Sequence, residues 1–307
     1  MQLDLYVNTL GRHIKQHFSG RVRKLSVDGD FTCPNRDGSI GKGGCTFCNV
    51  DAFVKPQQQM MSIGEQLDAR KAELKHKAIR YLAYFQAYTS TYAEVEYLRG
   101  MYQQALADES VVGLCIGTRP DCVPEAVLEM LAEYQAQGKE VWLELGVQTA
   151  HDETLKKINR GHDFAAFQKA VARAHQYGLK VCAHLILGLP GEEPEHYMQS
   201  LKAVLAEDIA GIKLHPLHVV EGSTMAKAWR AGRLDTMSQQ HYVEQAVNLI
   251  RHTPEHVVYH RVSAHARPPV LLAPNWCQNK WLALTDIAKK LASDGPQGSA
   301  LSYNVMQ

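Results

Sequence analysis

Six times along this chain a short apolar run gives way to a polar–apolar stretch of helical period, and that alternation leaves few folds open. The strand candidates are Arg23–Val27, Tyr81–Ala87, Val111–Gly117, Glu140–Val147, Lys180–Leu187 and Gly211–His215. Runs such as VVGLCIG and HLILG are almost wholly apolar, as parallel strands covered on both faces are. Of the helical stretches between them, one starts at Ile63, where Ser62 followed three residues later by Glu65 makes a capping box. Another opens with Pro124 and Glu125, which suit a first turn. A third spans Phe164–Gln176 and stops at Gly178, and a fourth runs from about Pro194 to Ala206. Repeated βα units with right-handed connections build either a doubly wound sheet or a barrel. At 307 residues and 45% hydrophobic, the chain can form one large domain or a domain with an extension.

Three cysteines share one glycine-rich loop after the first strand, in the run Cys33-PNRDGSIGKGG-Cys45-TF-Cys48. The spacing is C-x11-C-x2-C, and no further cysteine follows until Cys115. Three thiolates are too few to close a four-thiolate zinc or iron–sulfur site. They suit a cubane cluster that leaves one iron open for a substrate or cofactor. Gly38, Gly41, Gly43 and Gly44 let the backbone curl and bring its N–H groups close to an anionic guest. The alternative is a zinc knuckle completed by a distant ligand such as His13 or His17. Seven cysteines, an odd number without an export signal before them, speak against disulfides.

A formal net charge of +1 gives no global field to recruit nucleic acid or an anionic membrane. No apolar run approaches the roughly 18 residues that span a bilayer. The opening stretch MQLDLYVNTLGRHIKQHF reads as an amphipathic helix, so a soluble, reducing, cytoplasmic setting is expected. The domain organisation expected is an N-terminal helix over 1–16, a core over 17–250 and a C-terminal extension over 251–307. No internal repeat or long low-complexity segment stands out.

The polar residues gather after the strands. Gln86, Tyr88, Thr89 and Ser90 follow the second; Arg119, Asp121 and Cys122 the third; Glu144 and Gln148 lie on or just past the fourth. Gly188-Leu-Pro-Gly191-Glu192 follows the fifth, and His215 and His218 the sixth. In a parallel βα barrel all these strand ends meet at one mouth.

The segments FTCPNRDGSIGKGGCTFCN (31–49), YFQAYTSTY (84–92), GTRPDCVP (117–124), LELGVQTAHDETLKKINRGHDF (143–164), HLILGLPGE (184–192) and IKLHPLHVVEGS (212–223) form an ordered series over roughly residues 17–250. In that series the chain resembles radical S-adenosylmethionine (SAM) enzymes, in the branch that includes the tRNA-modifying catalytic subunit of Elongator. More narrowly it is similar to the YhcC-like proteins of bacteria. The family's usual spacing is C-x3-C-x2-C; the longer first gap here matches the Elongator-like branch. The resemblance implies an α/β fold, a partial (β/α)6 TIM-type barrel with a small C-terminal extension. It implies that Cys33, Cys45 and Cys48 hold three irons of a 4Fe–4S cluster, with SAM chelating the fourth. Reductive cleavage of SAM would yield a 5′-deoxyadenosyl radical for hydrogen abstraction, fed by a flavodoxin- or ferredoxin-type electron donor. Gln86, Ala87 and Tyr88 match positions that contact the methionine part of SAM. Glu144 and Gln148 match positions that reach its ribose or carboxylate. Gly188, Gly191 and Glu192 match the turn along the adenine, and Leu217 could offer backbone groups to the adenine edge. Each of these polar residues could instead cap a helix or satisfy a buried backbone group.

Arg119, Asp121, Arg160 and His162 remain for substrate contact, although Arg119-Pro120-Asp121 also reads as a turn with an internal ion pair. Cys122 reads as a redox-active thiol at the mouth or as an inert packed one, and Cys115 and Cys182 as core. From about residue 251 the chain carries His252, His256, His260 and His265 among Arg251, Arg261, Arg267, Tyr259, Trp276 and Trp281. Basic side chains with aromatics suit single-stranded RNA. The other reading is a strand and loop that close the open edge of the barrel, with histidines at its surface. Elongator's acetyltransferase signature is not recognised here, so fold and cofactor chemistry are expected to transfer and the particular reaction is not. An RNA or tRNA nucleotide and a small metabolite both stand as substrates. The alternative to an enzyme is a non-catalytic RNA- or partner-binding protein stabilised by zinc or an iron–sulfur group.

Overall fold

The computed structural model describes residues 2–18, 20–49, 60–74 and 80–301. Six parallel strands follow one another in sequence and in space: β1 (Val22–Val27), β2 (Arg80–Phe85), β3 (Val111–Thr118), β4 (Glu140–Gln148), β5 (Lys180–Leu187) and β6 (Gly211–Pro216). After the short β7 (Val219–Val220), β8 (Val258–Arg261) adds a seventh strand, parallel to β6. The curled sheet is therefore a half-barrel, open between β1 and β8, as an α/β partial TIM-type barrel requires. Its seventh strand comes from the segment that the sequence left between an edge-closing strand and an RNA-binding tail. A two-stranded antiparallel ribbon pairs β7 with β9 (Leu271–Ala273).

Period-two alternation separates an outer from an inner face. Tyr81, Ala83 and Phe85 of β2, Leu114 and Ile116 of β3, and Val141, Leu143 and Leu145 of β4 belong to one large buried cluster with the helices outside. The helices include α3 (Ile63–Ala72), α4 (Val95–Leu106), α5 (Glu125–Ala136), α7 (Phe164–Gln176), α8 (Pro194–Leu205) and α10 (Gln239–Arg251). Leu82, Tyr84, Cys115, Trp142, Cys182 and Val258 point the other way and pack with Leu10 and Ile14. Those two leucine and isoleucine side chains come from α1 (Leu10–His17), which plugs the barrel from inside. The opening stretch is thus not one continuous helix: a 3-10 turn at Gln2–Leu5 precedes α1, which Thr9 caps. Beyond α1, the single-turn α2 (Pro34–Asp37), α6 (Asp152–Lys157), α9 (Thr224–Arg230) and α11 (Lys280–Asp294) are the other α-helices among the described residues.

The start of α3 follows its sequence signature. Ser62 Oγ accepts from the Glu65 backbone N–H at 3.3 Å, and the Ser62 N–H donates to Glu65 Oε2 at 2.7 Å. The edge of β8 is partly covered: Thr9 bridges to Tyr259, whose N–H donates to the Asn8 carbonyl at 2.8 Å. Such cover removes an unpaired strand edge. Among the described residues no helix is long and apolar enough to cross a membrane.

Two glycines separate a steric constraint from an entropic one. A Cβ on Gly113 in β3 would fall 1.9 Å from the Glu140 carbonyl oxygen of β4, whereas a Cβ on Gly100 in α4 would meet nothing within 4 Å. Gly113→Ala is expected to lower the urea midpoint sharply by prising β3 from β4. Gly100→Ala should raise stability by about 0.5–1 kcal/mol through the lost freedom of the unfolded chain. A Gly113→Ala variant as stable as the parent would contradict the close approach.

Candidate active site

The cysteine loop leaves β1 and runs over the C-terminal ends of the strands. Cys33 sits at the N-cap of α2, and the chain then reverses through positive-φ Gly38, Gly43 and Gly44. Gly41 and Gly44 also make close contacts, Gly44 at positive φ as well. A Cβ on Gly41 would lie 2.4 Å from Asn35 Oδ1, and one on Gly44 2.8 Å from Arg36 Nε. Cys45 is buried, while Cys33 and Cys48 are partly exposed, and all three thiols are free. The Cys48 thiol is pushed up to about 11 by burial and by its neighbour Cys45.

A second segment clasps this loop. The Thr46 N–H donates to the Ile158 carbonyl at 2.9 Å, and Asn159 Nδ2 donates to the Gly44 carbonyl at 2.8 Å. In return Asn35 Nδ2 donates to the Asn159 carbonyl at 2.6 Å and lies 3.6 Å from Cys45 Sγ. Arg160 Nη1 is 3.4 Å from the same sulfur. The Asn159-Arg160-Gly161-His162 run therefore faces the cysteine loop.

The four residues named for substrate contact are placed differently. Arg119, 2% exposed, grips Asp121 with two hydrogen bonds of 2.9 and 2.7 Å and donates to the Arg160 carbonyl at 2.8 Å. The turn with an internal ion pair is the arrangement found, and it supports the clasp from behind. Burial and the Arg160 charge push the His162 imidazole down to about 4, and its Nε2 has no hydrogen-bond partner among the described residues. Cys122, raised to about 12 mainly by burial, is a packed thiol against Asp121.

A cavity of about 290 Å³ opens beside the loop, lined by Phe47, Cys48, Asn49, Gln86, Gln148, Ile186, Leu217 and Val220, with His184, Lys213, His215 and His218 as its polar side. Gln86, Gln148 and Leu217 are thus brought together with Cys48. Gln148 holds a positive φ of 75°. Ala87 is buried behind the wall, and the Tyr88 ring lies 5.7 Å from the Arg36 guanidinium, on the cysteine loop. Gly188 and Gly191 take positive φ in the turn after β5, where a Cβ on Gly188 would lie 3.7 Å from that of Leu217. Glu192 faces away from the cavity: buried, it accepts from Thr149 Oγ1 at 2.5 Å and ties the β5 turn to the end of β4.

Glu144 also departs from expectation. It is wholly buried in the barrel interior, and its carboxylate is taken up by four side chains, so it offers no free oxygen to the cavity. Oε1 contacts Lys24 of β1 and His260 of β8, the latter at 3.0 Å. Oε2 contacts His184 of β5 at 2.8 Å and Lys213 of β6 at 3.1 Å, and Lys213 also donates to the Tyr84 hydroxyl of β2. Burial alone would raise the Glu144 carboxyl, but Lys213, Lys24, His184 and His260 hold it well below the usual range. Burial pushes Lys213 down to about 8, His184 to about 4 and His260 to about 3. His260 is therefore an interior residue and not a surface histidine. Lys24, Tyr84, His184 and Lys213 were missed from sequence. The signal was there in parity alone: each is a polar residue at an inward position of its strand.

Among the described residues no three His, Cys, Asp or Glu side chains converge on one metal-ion position. The three cysteines fit a multi-iron cluster better, because each iron of a cubane takes a single thiolate. Arg160, buried beside Cys45 and in no ion pair among the described residues, fits an anionic guest there.

A family model described as the Radical SAM superfamily matches residues 36–204, and a second, the Radical_SAM C-terminal domain, residues 209–293. Protein YhcC of Escherichia coli (strain K12) is 58% identical over 301 residues, 98% of this chain and 97% of that protein. A tRNA uridine(34) acetyltransferase of Dehalococcoides mccartyi is 37% identical over 131 residues, 41% of this chain and 28% of that enzyme. Among solved structures, the archaeal Methanocaldococcus infernus Elp3 aligns with a TM-score of 0.64 at 21% identity, over 88% of this chain. This chain spans 63% of that Elp3 chain.

The buried imidazoles make stability depend on pH with a definite sign. Unfolded histidines titrate near 6.5, whereas burial holds His184 and His218 near 4 and His260 near 3 in the fold. Between those values the unfolded chain binds more protons, so acidification favours unfolding; Glu144 acts in the same sense below about pH 4.5. Urea midpoints of the metal-free protein should fall steadily from pH 7 to pH 5. Each such histidine contributes roughly 1 kcal/mol per pH unit in that window. His218→Gln should flatten the slope, and a midpoint constant over this range would contradict the neutral imidazoles.

Proposed function

The chain belongs to the radical SAM superfamily, and from that premise we propose that Cys33, Cys45 and Cys48 each bind one iron of its 4Fe–4S cluster while SAM completes the fourth in the adjoining cavity. The chain is an enzyme, and the cluster and SAM are its cofactors. When bound, they supply reductive cleavage of SAM to a 5′-deoxyadenosyl radical that abstracts hydrogen from substrate. The observation that carries the site assignment is the cavity itself, which joins Cys48 to the ends of β2, β4, β5 and β6.

In this reading the protein positions, orients and dries the site. The Gln86 and Gln148 carboxamides offer donors and acceptors to the polar groups of SAM. Leu217 and the Gly188–Gly191 turn provide a close backbone wall for the adenine. Phe47, Ile186 and Val220 exclude water from one side of the cavity, and the Lys213–Glu144 network closes its floor. Ala87 and Tyr88 lie outside the cavity lining, Tyr88 beside Arg36 of the cysteine loop. Glu192 and Glu144 hold the frame and leave SAM to their neighbours. Electrons arrive one at a time from a flavodoxin- or ferredoxin-type donor in the cytoplasm.

For the substrate we infer a tRNA nucleotide. The similarity to a tRNA uridine(34) acetyltransferase supports this, and so does a groove of about 720 Å³ at the open edge between β1 and β8. Lys15, Arg21, Arg23 and Arg261 line it with the half-exposed Trp281, and Asp4 is the one carboxylate among its lining residues. Cations with an aromatic face suit an RNA backbone with an unstacked base.

Low-temperature EPR of anaerobically reconstituted, dithionite-reduced protein tests the cofactor reading. A reduced 4Fe–4S signal that changes on adding SAM is the expected result; a signal indifferent to SAM, or zinc in place of iron, overturns it. Cys45→Ala should abolish iron loading and Cys277→Ala should leave it intact, with equal loading sinking the ligand assignment. Substrate class is read from 5′-deoxyadenosine: tRNA should stimulate its formation, and stimulation by small-metabolite pools alone would displace the RNA reading.

A further inference from the structure

Arg160 has surroundings that call for an anion, and no acid among the described residues pairs with it. Its side chain is only 6% exposed as a residue and lies between β4 and the cysteine loop. Nε donates to the Gly146 carbonyl at 3.2 Å, Nη2 to the same oxygen, and Nη1 points at Cys45 Sγ at 3.4 Å. Its seat is cut to shape: a Cβ on Gly146 would lie 2.8 Å from Nη2. Among the described residues Arg160 makes no ion pair, and Asp121, whose carboxylate feels the Arg160 charge, is already held by both arms of Arg119. A buried guanidinium against a neutral thiol is costly, whereas against an anion it is stable.

We propose that Arg160, with Asn35 as a lesser second donor, sets the reduction potential of the iron–sulfur cluster through Cys45. The inference rests on the reading that Cys33, Cys45 and Cys48 hold that cluster. Three thiolates around a cubane carry net negative charge, and one electron adds another negative charge without making or breaking a bond. A fixed guanidinium attracts the more negative form more strongly, so it raises the potential. The Nη1–H and the Asn35 amide, 3.6 Å from the same sulfur, act in the same direction by withdrawing electron density from Cys45. Arg119, donating to the Arg160 carbonyl, keeps the segment in register with the sulfur and is a positioning residue.

The test is an EPR-monitored redox titration of the reconstituted protein without SAM, with dithionite as the one-electron reductant and iron content measured alongside. Arg160→Gln should keep its iron and move the midpoint to more negative potential. Arg160→Lys, which keeps the charge but cannot reach both Gly146 and the sulfur, should move it less in the same direction. Arg99→Gln, which neutralises a cation paired with Glu133 at the surface, should leave it unchanged. A fully loaded Arg160→Gln with the parent's midpoint overturns the proposal while leaving the cluster assignment standing. Should that variant load too little iron to titrate, Arg160→Lys decides, and a midpoint equal to the parent's overturns it. Failure of the parent itself to take up iron would instead bring down the cofactor reading.

Discussion

A single carboxylate, Glu144, is the interaction on which the half-barrel depends. It stands on β4, in the middle of the sheet, and reaches Lys24 on the first edge strand and His260 on the last, with His184 and Lys213 from the strands between. A closed barrel holds its ends together with backbone hydrogen bonds; an open one has no such ladder between β1 and β8. Here ion pairs to Lys24 and Lys213 and hydrogen bonds to the His184 and His260 imidazoles bridge the interior in its place. Taking these ions out of water is expensive, and only mutual satisfaction of the set offsets it. Removing the Glu144 carboxylate would leave the lysine charges of this interior uncompensated, at a cost of about 3–5 kcal/mol. The same network lines the cavity beside Cys48 through Lys213 and His184, so frame and cavity share atoms.

Much of the frame was legible because each strand is short, apolar and bounded by polar residues. Lys180–Leu187 and Phe164–Gln176 form over the residues their pattern marks, and Ser62 caps its helix as the Ser-x-x-Glu spacing implies. The seventh strand was harder to see. Val258–Arg261 is four residues long, lies among histidines and arginines, and pairs with β6 across an irregularity that sets Ile212 beside Tyr259 but Lys213 beside Arg261. One extra residue on β8 breaks the simple alternation. Period-two reasoning cannot register such a strand without its neighbour.

The site was legible where covalent spacing carries the chemistry and illegible where tertiary contacts do. Three cysteines in one loop stand out as a set in sequence, and Gln86, Gln148 and Leu217 line one cavity with Cys48. Glu144 was rightly picked out as an unusual buried acid, yet its four partners come from residues 24, 184, 213 and 260, which no local pattern joins. Arg119, Asp121 and Arg160 were visible as charges beside the strand ends. That they turn inward to brace one loop follows from burial and from the hydrogen bonds between residues 119 and 160 and between 160 and 45. A charged residue near a mouth faces the substrate or the frame, and composition alone does not choose.

The pairing of Thr9 with Tyr259 bears on how the molecule is made. Asn8 and Thr9 leave the ribosome early, but the strand they cover emerges about 250 positions later. At 5–20 residues per second that is a wait of roughly 10–50 s. During it α1, whose Leu10 and Ile14 belong inside the barrel, has only part of its wall to pack against. The interior plug is thus made about 250 positions before Val258 of β8, the last residue of the cluster it packs into.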